Sequence, residues 1–408
     1  EGFYEKYPEL KELPMYLGEL PEDIKAKVTT AVLAPGVPLS QPIVQDLKDR
    51  GAKITGEVEL AFTYEKGRVC AITGTNGKTT TTSLLGELLR RHFDDVHVVG
   101  NIGIPYTKEV LHTTEDSVIA AEISSFQLET ISSFAPMVSA ILNITPDHLN
   151  RHGTMEAYIQ AKEAITKNQT SEDVCVLNYE DEVLRDFGKT LSCRVIWLSG
   201  QRELKEGYYY RDGVIYRAPK TKIIETGDLQ ILGLHNYENA MAAIAMSEAM
   251  GVPLDEIRQG LMDFRAVEHR IEFVCEKRGV RFYDYSKGTN PDAAIKGICA
   301  MDRKTCLIGG GYDKDSSYDE WIRAFDGKVK KLVLIGQTRE KIADCAKANG
   351  FLDYCFADSL EEAIDICYAT ASEGEAVLLS PACASWGMFK NYEERGDIFK
   401  AYARGLKE

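Results

Sequence analysis

The chain has 408 residues, enough for two to three domains at roughly 150 residues each. Asp plus Glu (63) outnumber Lys plus Arg (48), and the formal net charge is −15. That balance argues against a nucleic-acid wrapper or a membrane-surface protein, both of which need a basic face, while leaving room for a local basic pocket that takes phosphates. Hydrophobic residues make up 44% and charged residues 27%, which is globular rather than disordered composition. No apolar run approaches the ~18 residues of a membrane span. The opening Glu1-Gly2-Phe3-Tyr4-Glu5-Lys6-Tyr7 lacks the basic start and apolar stretch of a signal peptide. Ten cysteines are scattered without any C-x-x-C pair, so they read as small buried residues of a reducing compartment, and the cytoplasm is the expected location.

Residues 1–65 read as the back end of an α/β unit. Val28 to Leu33 is a short apolar strand, Ala34-Pro35-Gly36-Val37-Pro38 a breaker-rich loop, Ser40 to Arg50 a polar helix, and Gly51 to Ile54 the start of another strand. A first strand with its glycine turn is missing, so this unit is expected to be partial. From Arg68 strands and helices alternate, the pattern of a mostly parallel sheet covered on both faces. Strands are expected at Val69–Thr73, Ser117–Ala121, Val138–Ile144 and Val174–Asn178, and helices at Thr79–Arg91, Phe126–Ser133 and Thr154–Lys167. Tyr208 to Tyr216 is a hairpin by its central Arg211-Asp212-Gly213, followed by helices at Asn236–Met250 and Leu254–Met262. A further parallel α/β unit starts near Glu268, with strands at Val280–Tyr285, Thr305–Ile308, Lys331–Ile335 and Ala376–Leu379. Helices at Pro291–Met301, Thr338–Asn349 and Leu360–Ser372 alternate with them. The expected division is 1–65, 66–267 and 268–408.

The strongest signal is Thr73-Gly74-Thr75-Asn76-Gly77-Lys78-Thr79-Thr80, between a strand and a helix. Glycines there let backbone N–H groups turn in around phosphate oxygens; the helix N-terminus and Lys78 add positive charge, and the Thr79 hydroxyl suits Mg²⁺. The common P-loop spacing wants a glycine where this chain has Ile72, so a glycine turn without a ligand is the competing reading. Glu122 and His148 each follow a strand, at the sheet edge where ligands of open α/β folds collect, and each is a potential metal ligand. Taken singly, either is more often a helix cap or a surface polar group. Lys162 follows Tyr158 by one turn, and pattern alone makes it a solvated lysine.

These segments, with Gly100-Asn101-Ile102-Gly103, Glu122-Ile123-Ser124-Ser125, Asn143 to Leu149, Gly233-Leu234-His235-Asn236 with Asn239, His269-Arg270 and Ser286-Lys287-Gly288-Thr289-Asn290, together resemble the Mur ligase family over nearly the whole chain. The tail Ser380-Pro381-Ala382-Cys383-Ala384-Ser385 looks like the type that adds D-glutamate to UDP-N-acetylmuramoyl-L-alanine. The resemblance implies three α/β domains: a uridine-nucleotide domain, a central ATPase domain and a Rossmann-like domain for the amino acid. It implies ATP, two Mg²⁺ ions (with Mn²⁺ as a substitute) and an acyl phosphate attacked by the amine of D-glutamate, in peptidoglycan precursor synthesis by a monomer. By the same resemblance, Gly74, Thr75, Asn76, Gly77, Lys78, Thr79 and Thr80 hold the ATP phosphates. Thr79 and Glu122 hold one ion; His148 holds the second with a carbamylated Lys162. Asn236 and Asn239 lie near adenine, and Arg270 and Lys287 near ribose and phosphate. Gly36, Asn101 and Ser124 serve the uridine nucleotide, and Thr289, Lys314, Ser385 and Tyr392 frame D-glutamate.

One departure bears on this reading: where the family has Asp-Ser-Lys, the chain has Tyr285-Ser286-Lys287, and Asp284 is expected to face the other side of the strand. Two alternatives stay open on sequence: another amide ligase of the superfamily, such as a folylpolyglutamate synthase, and a P-loop nucleotide module that forms no amide. Glu122, His148 and Lys162 together discriminate, because a nucleotide switch needs no second-metal site.

Overall fold

The computed structural model describes residues 8–265, 268–313 and 315–407. Three sheets order them. Strands β1 (Thr30–Leu33) and β2 (Lys53–Gly56), joined through helix α1 (Pro42–Asp49), form a parallel pair. Nine strands follow in one sheet: β3 (Arg68–Thr73), β4 (Val96–Gly100), β5 (Val118–Glu122), β6 (Val138–Ile141), β7 (Val174–Asn178), β8 (Arg194–Ser199), β9 (Tyr208–Arg211), β10 (Val214–Arg217) and β11 (Thr221–Glu225). Their order is β11-β10-β9-β8-β7-β6-β3-β5-β4, parallel except for the β9–β10–β11 meander. The third sheet holds β12 (Glu272–Lys277), β13 (Val280–Asp284), β14 (Thr305–Gly309), β15 (Val329–Leu334), β16 (Tyr354–Phe356) and β17 (Ala376–Leu379). It runs β12-β13-β17-β14-β15-β16, with only β12 antiparallel.

Both large sheets are buried on both faces, which is why their strands read as continuous apolar runs rather than alternating ones. One face of the nine-stranded sheet packs Ile72, Ala120 and Val176 against Leu84, Leu85 and Leu88 of helix α2 (Lys78–Arg90) and Met241 and Ile244 of helix α3 (Leu234–Ala249). The other packs Ala71, Ile119 and Ile141 against Phe134, Tyr158 and Ile165. The six-stranded sheet separates two further apolar clusters in the same way.

The chain leaves β3 for β4 and β5 on one side and then crosses back to β6 on the other. This reversal opens a crevice at the carboxyl ends of β3 and β6, the place where open α/β sheets bind ligands. Most expected elements are present within a few residues, and the hairpin turns at Asp212 and Gly213, both at positive φ. Elements not anticipated include the strands β4, β8, β11, β12 and β16 and several helices, among them Glu57–Phe62, Glu182–Phe187, Asp319–Arg323 and the charged Tyr392–Gly405; most of these are short or rich in polar residues. All ten cysteines are free thiols, six of them buried. Among the described residues no helix is long and apolar enough to cross a membrane.

The helix Glu57–Phe62 ties the two-stranded pair to the nine-stranded sheet through a buried carboxylate. Glu59 Oε1 accepts from Ser133 N (2.8 Å) and Ser133 Oγ (2.6 Å), and Oε2 from Ser132 N (2.8 Å) and Phe134 N (3.1 Å). Burial alone would raise the proton affinity of Glu59, but these bonds to the charged form outweigh it and hold the carboxyl below the usual glutamate range. A lowered folded pKa means stabilisation that is full above the unfolded value of about 4.3 and is lost as pH falls through the folded value. Glu59→Gln, which turns an NH₂ toward buried N–H donors, should cost ~2 kcal/mol at neutral pH in urea unfolding. The difference from the unmodified chain should shrink as the pH drops below about 4.

Candidate active site

The glycine turn after β3 is held open by its neighbours rather than by its own residues. Thr75 N donates to Asn143 O (2.9 Å), Asn76 N donates to Asn143 Oδ1 (2.9 Å), and Asn143 Nδ2 donates back to Asn76 O (3.1 Å). Thr75 Oγ1 meets Thr145 N (3.0 Å), Thr145 O (3.1 Å) and Tyr158 Oη (3.0 Å). The strand expected to run to Ile144 stops at Ile141 because Asn143 and Thr145 turn aside to pin this loop. Ile72 needs no glycine: it is a fully buried strand residue opposite Glu122 and Ala140, and the turn is made two residues later by Gly74. Gly77, at φ +88°, caps helix α2, and a Cβ there would overlap Asn239 Oδ1.

Lys78 folds back over this turn, its Nζ donating to Gly74 O (2.9 Å) and Thr75 O (3.0 Å). Lys162 reaches the same Gly74 carbonyl at 2.8 Å and lies 4.6 Å from the Tyr158 ring centroid. It is 2% exposed, not the solvated lysine its pattern suggests, because the helix Met155–Glu163 turns its Tyr158–Lys162 face onto the phosphate loop. Burial, aided by the Lys78 charge, brings the Lys162 ammonium down to about 7. Burial lowers Lys78 as well, against the pull of Glu122.

Glu122 ends β5 and is 2% exposed. Its Oε1 accepts from Asn101 Nδ2 (2.8 Å), while its buried Oε2 has no partner among the described residues. A buried carboxylate oxygen with a free lone-pair face is a donor that suits a hard divalent cation. Arg270 crosses from the six-stranded side to Thr79 Oγ1 (3.4 Å), and its buried Nε is also unpaired. His148 stands at the rim: its side chain is half exposed, the backbone is at φ +51°, and Nε2 lies 3.4 Å from Asp147. Its ring centroid is 5.1 Å from that of Phe126, and both His148 and Lys162 lie near enough to oppose protonation of His152.

A cavity of about 840 Å³ opens from the loop to the six-stranded sheet, in the size range of small-molecule sites. Thr75, Asn76, Gly77 and Thr80 line one end; Asn236, Glu238 and Asn239 line another wall; Arg270, Tyr285, Lys287, Thr289, Lys296 and Tyr392 face them. Lys287 and Lys296 are both lowered by burial, and Arg270 adds to the effect on each. Asp147 and Asp292 share the lining, but none of Arg270, Lys287 and Lys296 forms an ion pair among the described residues, so this side of the cleft is suited to an anion. Asp284 is turned away from it, fully buried and accepting from His269 Nδ1 (2.6 Å) and Ser286 N (2.8 Å), so Tyr285 is the residue that faces the cavity.

The other sequence-level assignments fall elsewhere. Ser124 is the N-cap of the helix Ser125–Leu128 in a reciprocal pairing with Gln127. Gly36 belongs to an open loop beside a small cleft lined by Pro35, Gly56, Phe126 and Glu129. Ser385 is buried in the loop after β17, its carbonyl accepting from Phe389 N (3.1 Å). Lys314, and Ala266 and Val267 at the expected 267/268 boundary, lie outside the described residues. Sequence reasoning missed Asn143 and Lys296; the Asn143-Ile144-Thr145 run after a strand was the available signal for the first.

Fold and site together define a multi-domain α/β protein whose strand–glycine turn–helix loop, of the kind that suits phosphates, faces a second α/β sheet. The Mur ligase middle domain matches residues 72–247, and the Mur ligase, glutamate ligase domain matches residues 269–383. The chain belongs to the Mur ligase family. It is 57% identical over 395 residues to the UDP-N-acetylmuramoylalanine–D-glutamate ligase of Lachnoclostridium phytofermentans, covering 96% of this chain and 87% of that protein. To the protein of the same name from Clostridioides difficile it is 46% identical over 401 residues, 98% of this chain and 89% of the relative. Among solved structures, the UDP-N-acetylmuramate–alanine ligase of Thermotoga maritima shares the fold with a TM-score of 0.64 at 20% identity, covering 93% of this chain and 86% of that one. The ADP complex of the MurF ligase of Thermotoga maritima gives 0.59 at 16% identity, over 93% and 97%.

Gly77→Ala should weaken binding of a nucleoside triphosphate by at least ~10-fold in calorimetry, from backbone strain and the overlap with Asn239, with the melting temperature lowered by a few degrees and the fold retained.

Proposed function

We propose that this ligase uses ATP to join D-glutamate to UDP-N-acetylmuramoyl-L-alanine, through an acyl phosphate, as a cytoplasmic monomer. The observation that carries the chemistry is the gathering of Lys78, Lys162 and the free oxygen of Glu122 around one glycine turn. The substrates are read from the relatives' printed name.

An acceptor carboxylate attacking a γ-phosphoryl group brings two anions together, so the barrier falls only where positive charge is already fixed. Backbone N–H groups of Gly74 to Thr80 and the Lys78 ammonium would hold the β- and γ-phosphates; Arg270 and Lys287 would meet phosphate and ribose, with Asn236 and Asn239 toward the base. Thr79 and Glu122 would hold one Mg²⁺, or Mn²⁺ in its place; bound there, such an ion neutralises charge on the phosphoryl oxygens. The neutral fraction of the Lys162 amine can add CO₂ and release a proton, which converts a cation into an oxygen donor and, with His148, would hold a second ion. Asn101, Ser124 and Gly36 would serve the uridine nucleotide. Thr289, Lys314, Ser385 and Tyr392 would frame D-glutamate, with the Lys314 ammonium toward its side-chain carboxylate. The amine then attacks the acyl carbon, and phosphate leaves as the amide forms.

Phosphate release should require ATP, UDP-N-acetylmuramoyl-L-alanine and D-glutamate together; equal release with other amino acids, or hydrolysis without an acceptor, would overturn the assignment. Lys162→Ala should lower kcat by ~100-fold or more with the fold intact, and formate or acetate should restore part of it. Bicarbonate-depleted enzyme should regain activity faster as the pH rises through about 7, where the amine loses its proton. Near-normal turnover by the Lys162→Ala variant would remove this lysine from the mechanism.

A further inference from the structure

The cavity that receives the phosphate loop has two chemically different walls. Arg270, Lys287 and Lys296 make one of them, and anions belong there. The other, along helix α3, offers the apolar Leu142 and Leu198, the ring of His235 and the carboxamides of Asn236 and Asn239. His235 is held neutral, lowered to about 4 by burial and by Lys296. A flat neutral heterocycle suits this wall and a polyphosphate does not.

One carboxyl stands in that neutral wall. Glu238 lies on helix α3 between the two asparagines, where the cavity passes Leu198. It has room because residue 200 is glycine: a Cβ there would sit 2.6 Å from Glu238 Oε1 and 3.1 Å from its Cγ. Its partner is Asn178, whose Oδ1 already accepts from Glu180 N (3.0 Å), so the amide nitrogen is what faces Glu238. Among the described residues no cation pairs with it. The adjacent Glu180, by contrast, is held by Arg202 at 2.6 and 2.9 Å and by Ser199 at 2.5 Å. Burial raises the Glu238 carboxyl to about 7, the mark of an acid in a site with too little polar company. A half-buried carboxyl with one amide neighbour and no cation has acceptor capacity left for a donor on a ligand.

We propose that Glu238 is the residue that reads the base of the nucleotide, accepting the exocyclic 6-amino group of adenine with a carboxyl oxygen. This rests on the ATP reading above and goes beyond it by naming what selects the base. A triphosphate seated on Gly74 to Thr80 runs its nucleoside along helix α3, since Asn239 is already against Gly77 and Glu238 is the next residue on that helix. An amine directed at Glu238 gains a hydrogen bond to a carboxyl oxygen. A carbonyl oxygen in the same place, as in guanine, would set acceptor against acceptor. Purine lacking the 6-substituent leaves the carboxyl as unsatisfied as before.

The test compares dissociation constants of ATP and purine riboside 5′-triphosphate, which lacks only the 6-amino group, for the full chain and for Glu238→Ala. The unmodified chain should bind ATP at least ~10-fold more tightly than the analogue. In Glu238→Ala the two should converge to within about twofold because ATP alone weakens. Glu238→Gln, which keeps one acceptor oxygen and the shape, should retain part of the preference. Equal affinities in the unmodified chain, a comparison independent of how any variant folds, would overturn this proposal while leaving the ATP reading standing. So would a Glu238→Ala variant that loses both nucleotides by the same factor. Absence of saturable ATP binding in the unmodified chain would instead overturn the ATP reading and this proposal with it.

Discussion

Positive charge concentrated where water is scarce is the constraint around which the rest of this molecule is arranged. Lys78, Lys162, Arg270, Lys287 and Lys296 gather at the carboxyl ends of β3, β5 and β6, and burial opposes the charge on each of these four lysines. Among the described residues neither Lys78 nor Lys162 bonds to a carboxylate: both donate to loop carbonyls, and Glu122 acts on Lys78 only through its field. Held this way, the ammonium groups carry an electrostatic cost that a bound polyanion relieves. That is the form in which a protein keeps attraction available for a ligand instead of spending it on its own fold.

The glycine turn after β3 is held in place from outside itself. Asn143 pairs with Asn76 through backbone and side chain, and Thr75 is clasped between Thr145 and Tyr158. Tyr158 in turn sits one turn before Lys162, so a single helix face both braces the loop and delivers a lysine to it. Across the cleft, Asp284 fixes His269 at the start of the six-stranded unit, and the neighbouring Arg270 reaches Thr79. The two sheets are thereby joined at the place where their separate contributions meet, and residues from both line one cavity.

The small cleft beside Pro35 and the buried carboxylate of Glu59 show the same economy on the other side of the sheet. Glu59 gathers three backbone N–H groups of residues 132–134, a turn that follows the helix capped by Ser124. The loop carrying Gly36 therefore reaches the nine-stranded sheet through the helix Glu57–Phe62. Position, not flexibility, is what that helix contributes.

Periodicity and breakers were enough to read the alternation of strands and helices, because buried parallel strands are long apolar runs and helices of this size carry visible faces. The glycine turn with Lys78 and Thr79, the carboxylate after β5 and the hairpin at Asp212-Gly213 were legible for the same reason: each depends on a local backbone or on neighbours a few residues away. Short strands such as β4 and β16 and the charged helix Tyr392–Gly405 were not, since their stability comes from partners far along the chain. Lys162 is the sharpest case. Its neighbours in sequence describe a solvated helix face, and only the packing of that helix against the loop buries it and lowers its proton affinity. Local propensity and motif spacing are properties of a few consecutive residues and can be read from them. Burial, charge partnership and the division of one cavity into a cationic and a neutral wall are created by segments far apart in the chain, as with Lys162 and Gly74, 88 residues apart, and tertiary structure alone decides them.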